Sequence, residues 1–209
     1  MVTKGQLGNE VADLSGTAVT DSIVTIVGQF SGGVPAGYGR FTLEYNATAS
    51  ASPLRLTLLS GTTGVSDKVL GSSLTLANTT GNLNNEPARG KHYAVSAQNS
   101  GSNLILNLYV DGQLDETQEL ASKNMNEITG AMIGYIGALR TAPTSTSASW
   151  DMKGWGKLSA SLDEFRFWKV ARSHKDVGRY WWTQVAGGSN TDVSNTELGV
   201  YYKFNEGIT

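Results

Sequence analysis

The sequence contains no cysteine, few prolines and few charged residues. Among 209 residues there are 4 prolines, and Asp, Glu, Lys and Arg together make up 16%. The lack of cysteine excludes disulfide bonds and thiolate metal sites. The low charge argues against a helical protein, because exposed helix faces need Lys and Glu. The length allows a single domain, since β-sandwiches of this size commonly form one.

Three other features are missing, and each excludes a class of protein. With 16 basic and 18 acidic residues the net charge is −2, and no basic stripe occurs, so we expect no nucleic-acid partner. No apolar run is long enough to span a bilayer, so we expect no membrane partner. The start MVTKGQLGNE lacks the apolar core of a signal peptide, so secretion would need lysis, a non-Sec route or a larger chain.

The residues that are abundant favour short strands joined by tight turns. There are 25 glycines, together with 5 Trp, 8 Tyr and 5 Phe that supply a large apolar core. Strand-like segments lie at 22–30, 40–45, 54–59, 73–77, 132–139 and 198–204. We interpret residues 1–20 as an arm or an irregular first strand, and residues 21–209 as one domain.

Residues 103–120 carry the most distinct local signal. Apolar residues take alternate positions up to Val110, as in a strand with one buried face. Asp111 and Gly112 then supply the two positive-φ positions of a tight hairpin turn, and the chain returns through residues 113–120. The segment predicts a β-hairpin.

Residues 157–168 predict a long central strand. Period-two counting places Leu158, Ala160, Leu162, Glu164, Arg166 and Trp168 on one face and Ser159, Ser161, Asp163, Phe165 and Phe167 on the other. Large apolar side chains on both faces indicate a strand between two layers. Glu164 and Arg166, two positions apart on one face, are predicted to form a structural ion pair.

One short helix is predicted at about 173–185. Ser173 is a suitable N-cap with Asp176 at the third helical position, and Gly187 follows the last turn. The predicted fold class is therefore all-β, an antiparallel two-sheet sandwich with one helix in its last third.

Several motifs occur in an order that resembles a known family. They are KHYAVS at 91–96, LYVDG at 108–112, MIGYIG at 132–137, LDEFRFW at 162–168, the helix opened by Ser173, and VYYKFNE at 200–206. Together they resemble LamG-like, concanavalin A-like jelly-roll domains, and the wording of the last third is similar to such domains in virion proteins of large bacteriophages. The resemblance implies a jelly roll that binds glycans or proteins, often with a structural calcium ion, on a virion or an extracellular surface.

The same family includes glucanases, but the sequence does not favour an enzyme. A retaining glycosidase needs two carboxylates about 5 Å apart, which on a strand means alternate positions. Asp163 and Glu164 are adjacent and point to opposite faces. The acidic residues 115, 116 and 119 follow the hairpin turn and indicate a solvated edge. His92 and His174 are separated, which favours neither a zinc site nor a nucleophile–base pair.

Asp163 is the candidate metal ligand. Its strand phase places it beside Phe165 and Phe167, where an unpaired carboxylate is costly. One interpretation is a structural calcium ion, with Asp21 or Asp151 as a second oxygen ligand. The other is that backbone N–H groups of a neighbouring loop bind the carboxylate.

The loop TSTSASWDMKGWGK holds the candidate ligand-binding residues. Exposed indoles of Trp150 and Trp155 are suited to stacking on a sugar ring, with Asp151 and Lys153 for its hydroxyls. The alternative for Trp155, which Gly154 and Gly156 flank, is that it plugs one end of the sandwich.

The remaining aromatic residues divide into core and interface. Trp168, Tyr180 and Trp181 are predicted to be core, whereas Trp182 lies off the apolar stripe of the helix and is predicted to contact an adjoining domain or subunit. We therefore expect a non-catalytic recognition module for a glycan or another surface ligand. The alternative is a purely structural module of a virion that contacts neighbouring subunits.

Overall fold

The computed structural model describes ten stretches of the chain. They are residues 2–3, 20–28, 39–46, 51–61, 63–74, 91–128, 132–138, 158, 161–185 and 196–204. Within them the protein is all-β, its sheets are antiparallel, and one short helix is present, as predicted. No helix in this part of the chain is long and apolar enough to cross a membrane.

Twelve strands and one helix make up the described architecture. In chain order they are β1 (Val2–Thr3), β2 (Thr20–Gly28), β3 (Gly39–Asn46), β4 (Leu54–Ser60), β5 (Thr63–Leu70), β6 (Tyr93–Ser100), β7 (Asn103–Val110), β8 (Gln113–Leu120), β9 (Met132–Ile136), β10 (Ser161–Leu162), β11 (Phe165–Trp168), α1 (His174–Tyr180) and β12 (Leu198–Tyr202).

The largest sheet has five strands in the order β5-β4-β3-β2-β9. Leu43 of β3 lies opposite Leu56 of β4, and alternate residues on either side of them share the same apolar face. A register shift in β2 lets two consecutive residues, Ile23 and Val24, both enter the core.

The second sheet has three strands in the order β6-β7-β8, joined by two tight turns. Asp111 (φ 49°) and Gly112 (φ 77°) make the predicted turn between β7 and β8. The Asp111 carboxylate accepts hydrogen bonds from the backbone N–H of His92 at 2.9 Å and from Lys91 Nζ at 2.8 Å. The turn that links β7 to β8 is thus also fixed to the start of β6.

Residues from both sheets form one hydrophobic core. On β7 the alternate leucines 104, 106 and 108 are at most 1% exposed, and Leu54 and Leu56 of the five-stranded sheet are fully buried. All of them belong to one cluster of contacting side chains. The two sheets therefore face each other through their apolar sides, in a sandwich-like arrangement.

The other face of the five-stranded sheet is polar and also buried. Thr25, Thr42 and Thr57 lie side by side on β2, β3 and β4, and each is fully buried. Arg40 and Glu44 flank them on β3 and are at most 2% exposed. Both faces of β3 are therefore shielded from water, as expected of a central strand.

The predicted continuous strand at 157–168 is wrong in its middle. Asp163 and Glu164 interrupt it, and Glu164 has a positive φ of 55°. Before the break β10 pairs with β1, and after it β11 pairs with β12. Because a left-handed residue reverses the local path of the chain, period-two counting does not carry across it.

One further prediction needs correction, and strand β5 was not predicted. The helix ends at Tyr180 instead of 185. Of the predicted strand 73–77 only residues 73 and 74 are described, and they lie at a turn, so residues 75–77 of that prediction fall outside the described residues. Strand β5 was missed because its sequence TGVSDKVL alternates poorly, and only its register with β4 defines it. Residues 1–20 include the described strand β1, and the interpretation of this segment as an arm or an irregular first strand stays a prediction.

The close approach of α1 to the β7–β8 turn makes Gly112 sensitive to substitution. A Cβ atom at Gly112 would overlap the indole of Trp181, whereas a Cβ at Gly101 in the β6–β7 turn would meet nothing within 4 Å. Both glycines have positive φ. We expect Gly101→Ala to lower the free energy of unfolding by about 1 kcal/mol, and Gly112→Ala by about 2–4 kcal/mol. Urea unfolding of both variants measures the difference, and equal losses would contradict this contact.

Candidate functional site

The candidate site is built on β11, α1, residues 181–185 and β12, here called the C-terminal layer. Strands β11 and β12 are antiparallel, with Phe165 opposite Tyr202 and Phe167 opposite Val200. Phe165 also packs against the core between the two sheets. The layer is thus attached to the sandwich through β11 and places β12 at its outside.

The N-terminus of α1 is held by a reciprocal cap, as predicted. Ser173 Oγ accepts a hydrogen bond from the backbone N–H of Asp176 at 3.2 Å and donates one to its carboxylate at 2.6 Å. The hydrogen bond from Ser173 and the charge of Arg172 lower the pKa of Asp176. Arg172 also reaches Glu197, with 2.6 Å between Nη1 and Oε2, and lies 4.6 Å from the ring centre of Trp168. This cluster ties the start of α1 to the residues just before β12.

Arg166 holds the other end of α1. Its Nη2 donates to Glu164 Oε2 at 2.9 Å, which confirms the predicted pair. Its Nη1 donates to the carbonyl of Tyr180 at 3.1 Å, and Nη2 also donates to the carbonyl of Thr183. The helix C-terminus and the turn after it are therefore bound to β11 through one guanidinium.

Glu164 completes this network as an ionised carboxylate. Tyr201 Oη donates to Glu164 Oε2 at 2.6 Å. Burial alone would raise the pKa of Glu164, but the hydrogen bonds from Tyr201 and Arg166 outweigh it and hold the pKa below its ordinary value. Burial and the hydrogen bond to Glu164 raise the pKa of Tyr201. The network therefore pairs one anion with one cation and leaves the phenol neutral.

Every exposed Phe, Tyr or Trp of the described residues lies in or next to the C-terminal layer. Trp182 is 71% exposed and Tyr202 is 53% exposed, and Tyr180 and Phe204 are also exposed. The rings of Tyr202 and Phe204 stack with 5.9 Å between their centres. We call these four residues the aromatic surface.

The aromatic surface overturns one sequence prediction, since Tyr180 is exposed and is not a core residue. The two-residue spacing of Tyr202 and Phe204 favours a common face, but spacing gives no information on whether that face meets solvent. Trp181, in contrast, is half-buried against His92, with 5.8 Å between ring centres. Trp182 is exposed, as its place off the apolar stripe indicated, and its role as an interface residue stays a prediction.

The four residues predicted to bind a ligand, Trp150, Asp151, Lys153 and Trp155, lie outside the described residues. Their role and the plug alternative for Trp155 stay predictions. Asp21 lies on β2 opposite Tyr45. Whether Trp150, Asp151, Lys153 and Trp155 lie near one another or near Asp21 and Asp163 therefore stays a prediction.

Asp163 differs from its predicted environment. It lies at the break between β10 and β11, and it is exposed instead of buried beside Phe165 and Phe167. An exposed carboxylate does not require a metal ion to offset burial. The described residues contain no group of three His, Asp or Glu side chains that could hold a metal ion. A calcium ion takes six to eight oxygen ligands, and the structural calcium ion at Asp163, with Asp21 or Asp151 as a second ligand, stays a prediction.

The other acidic and histidine candidates have structural partners. Glu116 Oε2 accepts hydrogen bonds from the backbone N–H groups of Gly71 at 2.6 Å and Ser72 at 3.2 Å, and Asp115 accepts one from Ser73 Oγ. The acidic residues 115 and 116, which were predicted to lie on a solvated edge, therefore bind the turn after β5. His174 lies in the first turn of α1 and is exposed, with its ring centre 5.7 Å from that of Tyr109.

The Glu164 network makes stability depend on pH. Because the folded-state pKa is below the ordinary 4.5, the stabilisation is fully present above that pH and is lost as pH falls through the folded-state pKa. We expect Glu164→Gln to lower the free energy of unfolding by about 1–2 kcal/mol near neutral pH. The difference from the wild type should shrink in acid, where Glu164 is protonated.

Urea unfolding at several pH values tests this expectation, and Asp67→Asn is a suitable control. The Asp67–Arg55 ion pair is 3.2 Å long and exposed, so its loss should cost less than about 0.5 kcal/mol. If the difference in the free energy of unfolding between Glu164→Gln and the wild type were as large in acid as at neutral pH, the stabilising role of the Glu164 network would be contradicted.

Comparison with known proteins does not assign this chain to a family. No protein-family model, no curated protein and no solved structure matches this chain. The resemblance to LamG-like jelly rolls therefore stays a prediction from the order of motifs.

Proposed function

We propose that the chain is a non-catalytic recognition module that binds a glycan or another cell-surface ligand as part of a virion or surface protein. The observation that carries this proposal is the aromatic surface. Four aromatic side chains face solvent in one part of the chain, whereas the aromatic residues of the large sheets are buried or half-buried. Clustered exposed apolar side chains mark interaction sites more often than scattered ones.

The chemistry of the aromatic surface suits a sugar ring. Tyr and Trp offer flat apolar faces together with a polar group, and the apolar face of a pyranose stacks on such rings. Polar side chains occur in the same layer, since Lys203 Nζ lies 3.4 Å from Gln184 Oε1 and 5.8 Å from the ring centre of Tyr201, the neighbour of Tyr202 on β12. Amine and amide groups next to aromatic rings supply the hydrogen bonds that hydroxyls require.

The rigidity of the support also favours binding. Arg166 and Arg172 fix both ends of α1, and β11 fixes β12, so the backbone that presents the aromatic surface is already ordered. A surface that is ordered before binding loses less entropy on binding than a flexible loop. In the proposed jelly roll, the loop with Trp150 and Trp155 would add a second aromatic site.

A second candidate function, assembly with neighbouring subunits, is favoured by the outer edge of β12. Among the described strands β12 pairs only with β11, so its other edge has backbone groups without a strand partner. Val200 and Tyr202 on this strand are exposed. An apolar edge strand with no charged residue at its centre is a template for adding a strand of another chain.

Alanine substitutions in the aromatic surface test the recognition function. We expect Trp182→Ala and Tyr202→Ala each to weaken binding to the preferred glycan by about tenfold, because each removes one stacking ring. A glycan array identifies that ligand, and titration calorimetry measures the affinities. Leu114→Ala, which truncates an exposed side chain on β8, should leave the affinity unchanged. Featureless array binding by the wild type would refute glycan recognition.

A lysine on the edge strand tests the assembly function. If β12 joins a neighbouring copy, Val200→Lys should convert the oligomer to a monomer, because a lysine on an edge strand opposes strand addition. Light scattering after size-exclusion chromatography measures the mass of wild type and variant. The matched control is Val69→Lys on β5, which is the outer strand of the five-stranded sheet. A wild type that is monomeric at all concentrations would rule out assembly through copies of this chain.

A further inference from the structure

The turn that carries Trp182 has little apolar support of its own. Trp182 is 71% exposed and follows α1, a helix of seven residues of which none is fully buried. A helix this short is marginal in isolation, so its end must be held by contacts from outside it. Trp181 supplies one such contact, with His92. The backbone on either side of Trp182 is held in addition by hydrogen bonds.

Arg166 binds the backbone both before and after Trp182. Its Nη1 donates to the carbonyl of Tyr180 at 3.1 Å, and its Nη2 donates to the carbonyl of Thr183. Thr183 closes the same turn, because its backbone N–H and its Oγ1 both donate to the Tyr180 carbonyl, at 3.3 Å and 3.1 Å. A guanidinium offers its N–H groups in one rigid plane. The turn around Trp182 is therefore bound at two points by one rigid group.

Tyr201 adds a third point of attachment. The backbone of Val185 forms a hydrogen bond with the Tyr201 hydroxyl, which itself donates to Glu164 Oε2 at 2.6 Å. The same carboxylate oxygen accepts the hydrogen bond from Arg166 Nη2 at 2.9 Å. Arg166, Tyr201 and Glu164 therefore form one network that meets at a single oxygen and attaches the segment 180–185 to β11 and β12.

The side chains of this network are themselves mostly shielded from solvent. The Arg166 side chain is 11% exposed and that of Glu164 is 20% exposed, whereas Trp182 is 71% exposed. The single O–H of Tyr201 is already donated to Glu164. Side chains that hold an exposed binding residue in this way act through that residue, and their loss loosens its geometry.

We propose that Arg166 and Tyr201 are positioning residues of the aromatic surface: with Glu164 they fix the backbone around Trp182 and thereby the direction in which its ring meets the ligand. The inference rests on the recognition function proposed for that surface, although the position of Trp182 can be measured without any ligand. When a network contact is lost, Trp182 stays exposed but samples more orientations, and a ligand then has to order the ring on binding.

Fluorine NMR of protein labelled with 5-fluorotryptophan tests the position of Trp182 directly, and Trp182→Phe assigns its resonance. We expect Tyr201→Phe, which removes the hydroxyl and keeps the ring, to shift or broaden the Trp182 resonance. The Trp168 resonance should stay unchanged, because Arg172 contacts that ring separately, 4.6 Å from its centre. The matched control is Tyr202→Phe, which removes a hydroxyl from the exposed neighbour and should change neither resonance. An unchanged Trp182 resonance in Tyr201→Phe, or the same change in both variants, would overturn the proposal.

A double variant tests whether the contacts form one network. Glu164→Gln removes the charge and should also change the Trp182 resonance, because both Arg166 and Tyr201 bind that carboxylate. When Glu164→Gln is combined with Tyr201→Phe, the change should be no larger than the larger single change, since both act through the same contacts. Additive changes would contradict a single network.

A charge-conserving variant tests the guanidinium itself. Arg166→Lys keeps the positive charge but lacks the planar fork, so it should also change the Trp182 resonance. The wild-type resonance in Arg166→Lys would contradict the role of the fork. If this variant does not fold, the milder Tyr201→Phe and Glu164→Gln still decide the proposal.

Ligand binding tests the effect on recognition. With the glycan that the array identifies, we expect Tyr201→Phe to weaken binding by about three- to tenfold, the cost of ordering one side chain. The same substitution in a Trp182→Ala background should have no further effect, because it acts through Trp182. A further loss in that background, or an unchanged affinity of Tyr201→Phe, would refute the positioning role. If the array shows no bound glycan, the recognition function fails, and the fluorine spectra still decide whether the network positions Trp182.

Discussion

The packing of the leucine face of β7 against the five-stranded sheet is the constraint on which the rest of the fold depends. Leu104, Leu106 and Leu108 are almost fully buried, and each contributes about 1.5–3 kcal/mol relative to exposure. Because side chains alternate along a strand, a shift of one residue would turn Asn107 into the core in their place. The register of the β6-β7-β8 sheet, the position of both hairpin turns and the contact of Gly112 with Trp181 all follow from that single choice of face.

How much of this fold the sequence could predict depends on the range of the interactions that decide each element. The Asp111–Gly112 turn and the Ser173 cap are set by neighbouring residues, and both are confirmed. The break at Asp163–Glu164 depends in part on a distant partner, because Glu164, with its positive φ, accepts a hydrogen bond from Tyr201, 37 residues away, as well as from its near neighbour Arg166. Period-two counting assumes an unbroken strand. It was therefore wrong about the burial of Asp163, which lies at the break, although the predicted Glu164–Arg166 pair is present.

The candidate site was harder to predict for the same reason. Spacing placed Tyr202 and Phe204 on one face, but whether that face meets the core or solvent depends on the next layer, which no local pattern specifies. The contact of Trp181 with His92 likewise joins residues that are far apart in sequence. A sequence signal did exist for one part of it, since the exposure of Trp182 followed from its place off the helical stripe.

The C-terminal layer differs from the two large sheets in the kind of contact that fixes it. Ion pairs and hydrogen bonds from Arg166 and Arg172 hold α1 and its ends, whereas leucines hold the sheets together. Polar contacts of this kind fix the position and orientation of a helix without burying apolar side chains. The four rings of the aromatic surface are not among these contacts, whereas Phe165 and Trp181 of the same layer pack inward. A layer that is held by polar contacts and still exposes Trp182 and Tyr202 to water therefore has the exposed aromatic rings that the proposed recognition function requires.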